Sequence, residues 1–339
     1  MARLFRIALV SIGLATISLP PAEAQNAPKP LRAGIIGLDT SHVVAFTKVL
    51  NDPKSNGDLA GIRVVAAFPG GSPDVASSRD RVAGFTKQLR DDFKVEIADS
   101  IETLLSKVDV VFLESVDGRK HLAQAEPVLK ARMPVFIDKP LAGSLADAVK
   151  IFELAEQYGT PCFSCSSLRY NPTIVALRKD PKVGEIVGAY AFSPSPLEEH
   201  HPDLFWYGIH GVESLFTVMG PGCVSVSRVN TPGTDVVTGV WEGERVGTFR
   251  GIRKGKADYG VIAFGTKGVG RAEGSGGYEP LLVEVCKFFR SGKPPVSAKE
   301  TIELFAFMEA ADESKRQGGA TVTIKSVLAK ARQHKSSSK

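Results

Sequence analysis

Short apolar runs alternate with longer amphipathic segments from Leu31 to about residue 165, and this alternation constrains the fold more than any other feature. The runs are rich in Val, Ile and Phe without polar alternation, as expected for strands covered on both faces. Strands separated by helices pair in parallel through right-handed crossovers. The sequence therefore predicts a doubly wound α/β domain with a parallel sheet over residues 30–165. Its strands are expected at Ala33–Ile36, Val64–Phe68, Val108–Leu113, Val135–Ile137 and Cys162–Ser164.

The pattern changes after Arg169, where short strands are joined by Gly-containing turns. A chain of 339 residues usually holds more than one domain, so a second domain is expected. We predict an α+β domain with an open antiparallel sheet over residues 166–330, followed by a basic tail at 331–339. Its strands are predicted at Val187–Phe192, Val224–Val229, Val236–Val240, Val246–Phe249, Tyr259–Phe264 and Val269–Ala272. Its helices are predicted at Ile209–Met219, Pro280–Arg290 and Lys299–Gln317.

The N-terminal segment, residues 1–24, has the three zones of a secretory signal peptide. Arg3 and Arg6 precede an apolar run, and Ala22-Glu23-Ala24 supplies small residues around an expected cleavage after Ala24. The run is shorter than the roughly 20 residues of a membrane-spanning helix. We therefore expect a periplasmic or secreted protein without a membrane anchor after cleavage.

The charge distribution excludes one class of partner. The formal net charge is +5, but the excess lies at the two ends, which leaves a nearly neutral body. A nucleic-acid-binding protein needs a basic face. No such face is expected here.

Neither the cysteines nor the histidine pair indicates a metal or redox site. Cys162 and Cys165 are spaced as CxxC, but in a strand their side chains point to opposite faces, so we expect buried, unpaired thiols. His200 and His201 with Glu198 suggest zinc, although adjacent residues rarely bind one tetrahedral ion. We therefore predict a substrate-facing loop there and no metal.

The turn after the first predicted strand, Gly37-Leu38-Asp39-Thr40-Ser41-His42, lies where a dinucleotide-binding fold needs three glycines. Gly37 remains, while Asp39 and His42 stand at the other two positions. Thr40 and Ser41 can cap the following helix. The second strand is followed by Pro69-Gly70-Gly71-Ser72 without a ribose-binding acid, and Asp74 is expected to cap the next helix.

Lys139 follows the predicted strand Val135–Ile137, and the carboxyl ends of parallel strands form the crevice where open α/β sheets bind ligands. The segment around Lys139 is also part of a similarity that extends over most of the chain. The chain resembles the Gfo/Idh/MocA family of glucose-fructose oxidoreductase, inositol dehydrogenase and rhizopine-catabolism proteins. Asp138-Lys139-Pro140 stands for the family's Glu-Lys-Pro motif, and Leu168-Arg169-Tyr170-Asn171-Pro172 resembles its interdomain junction. Ile209-His210-Gly211-Val212-Glu213 falls where the family has His-x-x-Asp.

The resemblance implies a Rossmann domain, a second domain with an open antiparallel sheet, and hydride transfer between a sugar or cyclitol and NAD or NADP. It implies that Lys139 orients the substrate hydroxyl and that His210 is the general acid/base. It also implies a carbohydrate partner and a homo-oligomer. The implied cofactor-binding residues are Gly37, Leu38, Asp39, Thr40, Ser115, His121, Asp138 and Lys139. The implied substrate-binding residues are Lys139, Arg169, Tyr170, Trp206, Tyr207, His210 and Glu213.

Departures from the family pattern leave the reaction open. Ser115-Val116-Asp117 replaces the usual Thr-Pro segment, and Trp206 stands four residues before His210 where the family has aspartate. The expected function is an exported oxidoreductase with a tightly held nicotinamide cofactor. The alternatives are a glycoside-cleaving or eliminating enzyme that retains NAD, and a sugar-binding protein that has lost the cofactor.

Overall fold

The computed structural model describes residues 30–333, so the expected signal peptide and the end of the basic tail lie outside the described residues. The first domain contains a six-stranded parallel sheet in the order β3-β2-β1-β4-β5-β6. Its strands are β1 (Leu31–Ile36), β2 (Ile62–Phe68), β3 (Glu96–Ile97), β4 (Val110–Leu113), β5 (Val135–Ile137) and β6 (Cys162–Ser164). Its helices are α1 (Ser41–Leu50), α2 (Ala76–Arg79), α3 (Val82–Asp91), α4 (Ile101–Leu105), α5 (His121–Lys130) and α6 (Leu145–Tyr158).

This strand order confirms the predicted doubly wound domain. The order reverses between β1 and β4, so the crevice at the carboxyl ends of the strands opens there. Local signals set the helix limits: Ser144 Oγ accepts the Asp147 N–H at the start of α6, and Gly159, with a φ of +64°, ends that helix.

The second domain carries a seven-stranded sheet in the order β12-β11-β7-β10-β9-β8-β13. Its strands are β7 (Ile186–Pro194), β8 (Cys223–Thr231), β9 (Thr234–Trp241), β10 (Val246–Ile252), β11 (Gly260–Gly265), β12 (Val269–Glu273) and β13 (Val322–Thr323). Its helices are α7 (Pro172–Leu177), α8 (Ile209–Met219), α9 (Glu279–Ser291), α10 (Ala298–Arg316) and α11 (Ile324–Gln333). The sheet is mostly antiparallel as predicted, but β7 and β10 pair in parallel.

Helix α9 returns to the first domain and packs on its sheet. Phe289 lies edge-on to Phe112, and Phe288 lies edge-on to Phe163, with ring centroids 5.0 and 4.9 Å apart. The chain thus returns to the first domain after β12 and then comes back to the second sheet at β13, so each domain restrains the other.

All four cysteines are buried and free. Cys162 packs in the core that continues into the second domain, whereas Cys165 packs in the core beneath α1 and α9. The two thiols therefore diverge, as the strand periodicity predicts. Among residues 30–333, no helix combines the length and apolar character needed to cross a membrane.

Candidate active site

A cavity of about 630 Å³ lies between the two domains, at the carboxyl ends of β1 and β5 and against the start of α8. The first domain contributes the start of α1, the α2 region and Lys139, and the second contributes aromatic side chains and His210. The cavity lining includes Thr40, Ser41, His42, Ser77, Arg81, Lys139, Trp206, Tyr207, His210, Tyr259 and Tyr278.

Lys139 lines the cavity because β5 ends two residues earlier, at the carboxyl edge of the sheet. The Lys139–Pro140 peptide bond is cis. Lys139 is only 8% exposed. Its Nζ lies 3.7 Å from Asp138 Oδ2. The ammonium group is thus held at the wall of the cavity, where it can attract a substrate oxygen.

His210 lies in the first turn of α8, directly after the π-helical turn Leu204–Gly208. Its Nδ1 is 2.7 Å from Ser166 Oγ, which also accepts the Leu168 N–H. Burial, together with the positive charge of Lys139, holds the pKa of His210 well below its ordinary value of 6.5. The imidazole is therefore neutral near pH 7 and can accept a proton.

Aromatic side chains form part of the cavity wall. The hydroxyls of Tyr207 and Tyr259 lie 3.1 Å apart, and the Tyr207 ring is edge-on to His210 at 4.8 Å. Trp206 lines the same cavity. A flat apolar surface with hydroxyl groups at one end suits the face of a sugar or cyclitol ring.

A buried cluster of His42, Glu114 and Asp138, which sequence reasoning missed, lies beside Lys139. His42 Nδ1 is 3.0 Å from Asp138 Oδ2 and 3.6 Å from Glu114 Oε2. The carboxylate of Asp138 raises the pKa of His42 although burial opposes this shift, and burial raises the pKa of Glu114. The sequence signal that could have identified this cluster is that Glu114 and Asp138 each come directly after a buried strand.

The glycine-poor turn still leaves room for a phosphate-bearing ligand at the start of α1. Gly37 keeps a φ of +87° and packs so closely on Ser115 that a Cβ atom would lie 2.2 Å from its Oγ. Asp39 does not line the cavity: its carboxylate is fully buried and accepts the Val116 N–H and the Ser78 hydroxyl. Its charge is therefore withdrawn from the place where a pyrophosphate would lie.

Hydroxyl groups and one guanidinium line the cavity beside the turn that lacks two of the fingerprint glycines. Thr40 and Ser41 stand at the positive end of α1, and Ser77 and Arg81 line the cavity beside them. The Ser77 hydroxyl is buried without a hydrogen-bond partner among the described residues. These residues fit the phosphates of a dinucleotide, although no acid follows β2 for the adenosine ribose.

Only part of the predicted site lines the cavity. Thr40, Lys139, Trp206, Tyr207 and His210 do, whereas Gly37, Leu38, Asp39, Ser115 and Asp138 lie behind its wall. His121 is fully buried, with its ring nitrogens 2.7 and 3.2 Å from the Ser115 and Leu141 carbonyls. It holds the strand ends together, and a direct cofactor contact for it stays a prediction.

Three predicted substrate residues lie outside the cavity lining. Arg169 is ion-paired with Glu213 on α8 and donates to Glu300 on α10 at 2.7 Å. Tyr170 lines a separate groove beside α9. Substrate contact by Arg169, Tyr170 and Glu213 therefore stays a prediction, and their observed contacts are between elements of the fold.

The expected cap of the helix after β2 is wrong. Val75 precedes α2 without a side-chain cap, and Asp74 instead pairs with Arg119 at 2.9 Å. Arg119 also pairs with the buried Asp117, which lies 3.0 Å from His201 Nε2. His200 lies at the edge of this network, with Nδ1 2.7 Å from Glu198 and Nε2 3.8 Å from Asp74. The nearest carboxylates of the two adjacent histidines thus differ, Glu198 for His200 and Asp117 for His201, and the absence of a metal there stays a prediction.

A comparison with protein families shows which known proteins the first domain is similar to. Residues 31–165 match the family GFO_IDH_MocA, described as an oxidoreductase family with an NAD-binding Rossmann fold. The first domain thus matches the Gfo/Idh/MocA oxidoreductase family, over 135 of the 339 residues. The expectation of a nicotinamide-dinucleotide domain is thereby confirmed, with the choice between NAD and NADP still open.

A curated relative matches part of the chain. A Salmonella typhimurium protein named as an oxidoreductase, YceM, is 32% identical over 129 residues. That match covers 38% of this chain and only 36% of the relative. It supports the kinship of this segment rather than a shared activity of the whole proteins.

Solved structures share the complete two-domain fold. An oxidoreductase from Agrobacterium radiobacter, in complex with NAD⁺, L-tartaric acid and magnesium, has a TM-score of 0.70 at 17% identity, covering 88% of this chain and 99% of its own. The scyllo-inositol dehydrogenase of Lactobacillus casei has a TM-score of 0.71 at 15% identity, with 88% and 99% covered. The myo-inositol 2-dehydrogenase of Lactobacillus plantarum gives 0.71 at 15%, with 87% and 99%. At these identities, the similarity shows the fold alone.

Proposed function

We propose that this chain is an exported oxidoreductase that oxidises or reduces a ring carbinol of a sugar, cyclitol or glycoside with bound NAD or NADP. The observation that carries the proposal is the single cavity that joins the start of α1 to Lys139 and His210. The inositol dehydrogenases with this fold support a polyol substrate. The predicted signal peptide, residues 1–24, supports export.

The dinucleotide would be held by Thr40, Ser41, Ser77 and Arg81, and it would supply the hydride acceptor or donor. In the oxidation direction, the Lys139 ammonium holds the substrate oxygen and stabilises the negative charge that develops on it. With Nδ1 of His210 donating to Ser166 Oγ, Nε2 is left to accept the hydroxyl proton. The aromatic wall of Trp206 and Tyr207 orients the ring and excludes water.

The test begins with the full chain and two separate measurements. Titration calorimetry with NAD⁺ and NADP⁺ measures dinucleotide binding, and absorbance of the reduced nicotinamide follows turnover of inositols, monosaccharides and glycosides. We expect binding of one dinucleotide and turnover of at least one polyol. We expect Lys139→Met to lower kcat by about 10²- to 10³-fold with the dinucleotide Kd unchanged. Lys120→Met, at an exposed position, is the matched control.

One observation favours a second function, polyol binding without redox chemistry. Only Gly37 of the three fingerprint glycines is present, because Asp39 and His42 stand at the other two positions, so the turn lacks the glycines that let the backbone approach a pyrophosphate closely. Polyol binding by a chain that binds neither dinucleotide would support this alternative. Glycoside cleavage without net change in nicotinamide absorbance, by protein that retains the dinucleotide, would instead support the cleaving enzyme.

Export has its own test. N-terminal sequencing of the protein recovered from the periplasmic or culture fraction is expected to begin at Gln25. Recovery of the uncleaved chain from the cytoplasm would contradict it without bearing on the chemistry.

A further inference from the structure

The buried cluster of His42, Glu114 and Asp138 is not needed for the chemistry proposed above. It lies where three elements meet: His42 is in the first turn of α1, Glu114 follows β4, and Asp138 follows β5. The three residues are 6%, 0% and 1% exposed. His42 also lines the cavity, so the cluster stands between the sheet and the candidate active site.

The polar atoms of this cluster are not satisfied by the protein. Both carboxylate oxygens of Glu114, both of Asp138 and Nδ1 of His42 lack a hydrogen-bond partner among residues 30–333. Elsewhere in the chain, buried carboxylates have donors: Asp39 accepts from Val116 and Ser78, and Asp235 accepts from two arginines. Two buried carboxylates without donors are costly unless a cation lies between them.

The distances within the cluster suit a metal ion. The candidate ligand atoms all lie within 4.8 Å of one another. Bonds of 2.0–2.2 Å from a tetrahedral ion to nitrogen and oxygen place neighbouring ligand atoms about 3.3 to 3.6 Å apart. The observed separation of 3.6 Å from Nδ1 to Glu114 falls in this range, and that of 3.0 Å to Asp138 is slightly shorter. The shorter contact lacks hydrogen-bond geometry, so the Nδ1 axis is not aimed at the Asp138 oxygen.

We propose that His42, Glu114 and Asp138 bind one divalent first-row transition ion of the Zn²⁺ or Mn²⁺ type. One imidazole and two carboxylates form a mixed donor set that suits these ions better than Mg²⁺ or Ca²⁺, which prefer oxygen alone. Three protein ligands leave a coordination position for a water or a substrate hydroxyl, as in catalytic rather than structural sites.

The competing arrangement is an ion cluster without metal, in which protonated His42 and Lys139 balance the two carboxylates. Lys139 Nζ lies 3.7 Å from Asp138 Oδ2, beyond hydrogen-bond distance. Neither cation donates a hydrogen bond to Glu114, whose oxygens stay unpartnered. The competing arrangement therefore leaves Glu114 unsatisfied, whereas a bound ion contacts both carboxylates.

The test measures ion binding by the full chain, without dinucleotide or polyol. Protein treated with a chelator and dialysed is titrated with Zn²⁺ or Mn²⁺ by calorimetry, with Mg²⁺ as the comparison, and thermal unfolding is followed at each concentration. We expect one Zn²⁺ or Mn²⁺ ion per chain, a higher Tm, and much weaker binding of Mg²⁺. Because no dinucleotide is present, failure here would leave the oxidoreductase proposal standing.

Near-isosteric variants locate the site. His42→Gln, Glu114→Gln and Asp138→Asn each remove one ligand, and each is expected to weaken binding by at least about 100-fold. Circular dichroism verifies folding, and a variant that fails to fold is replaced by the other two. The matched control is His200→Gln, because Glu198, Glu199 and His200 form a second, more exposed group of possible ligands.

Two results would overturn the proposal. One is the absence of saturable Zn²⁺ and Mn²⁺ binding by the unaltered chain. The other is binding that survives all folded variants of the cluster or that is lost in His200→Gln.

Discussion

His210 is the residue whose electrostatic environment makes the sharpest kinetic prediction. Burial and the charge of Lys139 lower its pKa, so protonation requires a pH well below the ordinary histidine value of 6.5. We expect kcat/KM for polyol oxidation to stay constant as the pH falls from about 8 to about 6.5 and to decline only at lower pH, when the base becomes protonated. Steady-state kinetics across this range checks the profile.

Two variants separate His210 from the other titrating groups. His210→Gln is expected to lower kcat by about 10²-fold and to abolish the acid decline, because the amide cannot accept the proton. His200→Gln leaves the profile unchanged. An acid decline centred near pH 6.5 that persists in His210→Gln would show that another group is the base.

Sequence reasoning identified Lys139 and His210 as site residues but missed His42 and Glu114. Lys139 follows a recognisable buried strand, and His210 stands in a family pattern. His42 occupies a position where a glycine was expected, and Glu114 lies 72 positions away in the chain. Only the parallel pairing of β1 with β4 and of β4 with β5 brings these side chains together. The periodicity of one sequence does not show which residues far apart in the chain lie close together in space.

The turn between β1 and α1 makes a prediction about stability. Gly37 combines a φ of +87° with a close approach to Ser115, so alanine there meets both backbone strain and a clash. Gly61 has a φ of +77° but open space around it, so alanine there meets strain alone. We expect urea unfolding to show a loss of about 1 kcal/mol for Gly61→Ala and of at least about 3 kcal/mol for Gly37→Ala. Equal losses would mean that Ser115 moves away at little cost.

At the level of elements, the long periodic segments were predictable and the short pairings were not. The predicted helix Ile209–Met219 coincides with α8, and the predicted helix Pro280–Arg290 differs from α9 by one residue at each end. The strands β3 and β13 are two residues long, too short for any alternation to appear. The parallel pairing of β7 with β10 depends on the path of the intervening chain, which local patterns do not report.

The Arg169 network makes a prediction for the whole molecule, because it ties the segment after β6 to α8 and α10. Arg169 pairs with Glu213 and Glu300, and both Arg169 and Glu213 are buried. Arg169→Met leaves Glu213 buried without its partner, so we expect a loss of about 3–5 kcal/mol in the free energy of unfolding. Arg169→Met with Glu213→Gln should lose less than the sum of the single variants. Additive losses in urea unfolding would show that the pair is not coupled.

The uncovered face of the second sheet makes the last prediction, which concerns assembly. Val240 pairs with Val246, Val246 with Gly188, Gly188 with Phe264, and Phe264 with Val269, so these residues lie on one face across five strands. The four large side chains are 42% to 60% exposed. An apolar row of this kind on a sheet face is typical of a contact between subunits, and closed symmetry favours a second copy of the same chain.

We therefore expect light scattering coupled to size-exclusion chromatography to give a multiple of the chain mass for the unaltered protein. Val246→Lys places a charge at the centre of the row and should yield folded monomer, because a buried unpaired ammonium is costly. Val187→Lys, at a similarly exposed position one residue before Gly188 and hence on the opposite side of β7, is the control and should leave the assembly unchanged. A monomeric unaltered protein, or an oligomer that tolerates Val246→Lys, would show that copies of the chain do not associate through this face.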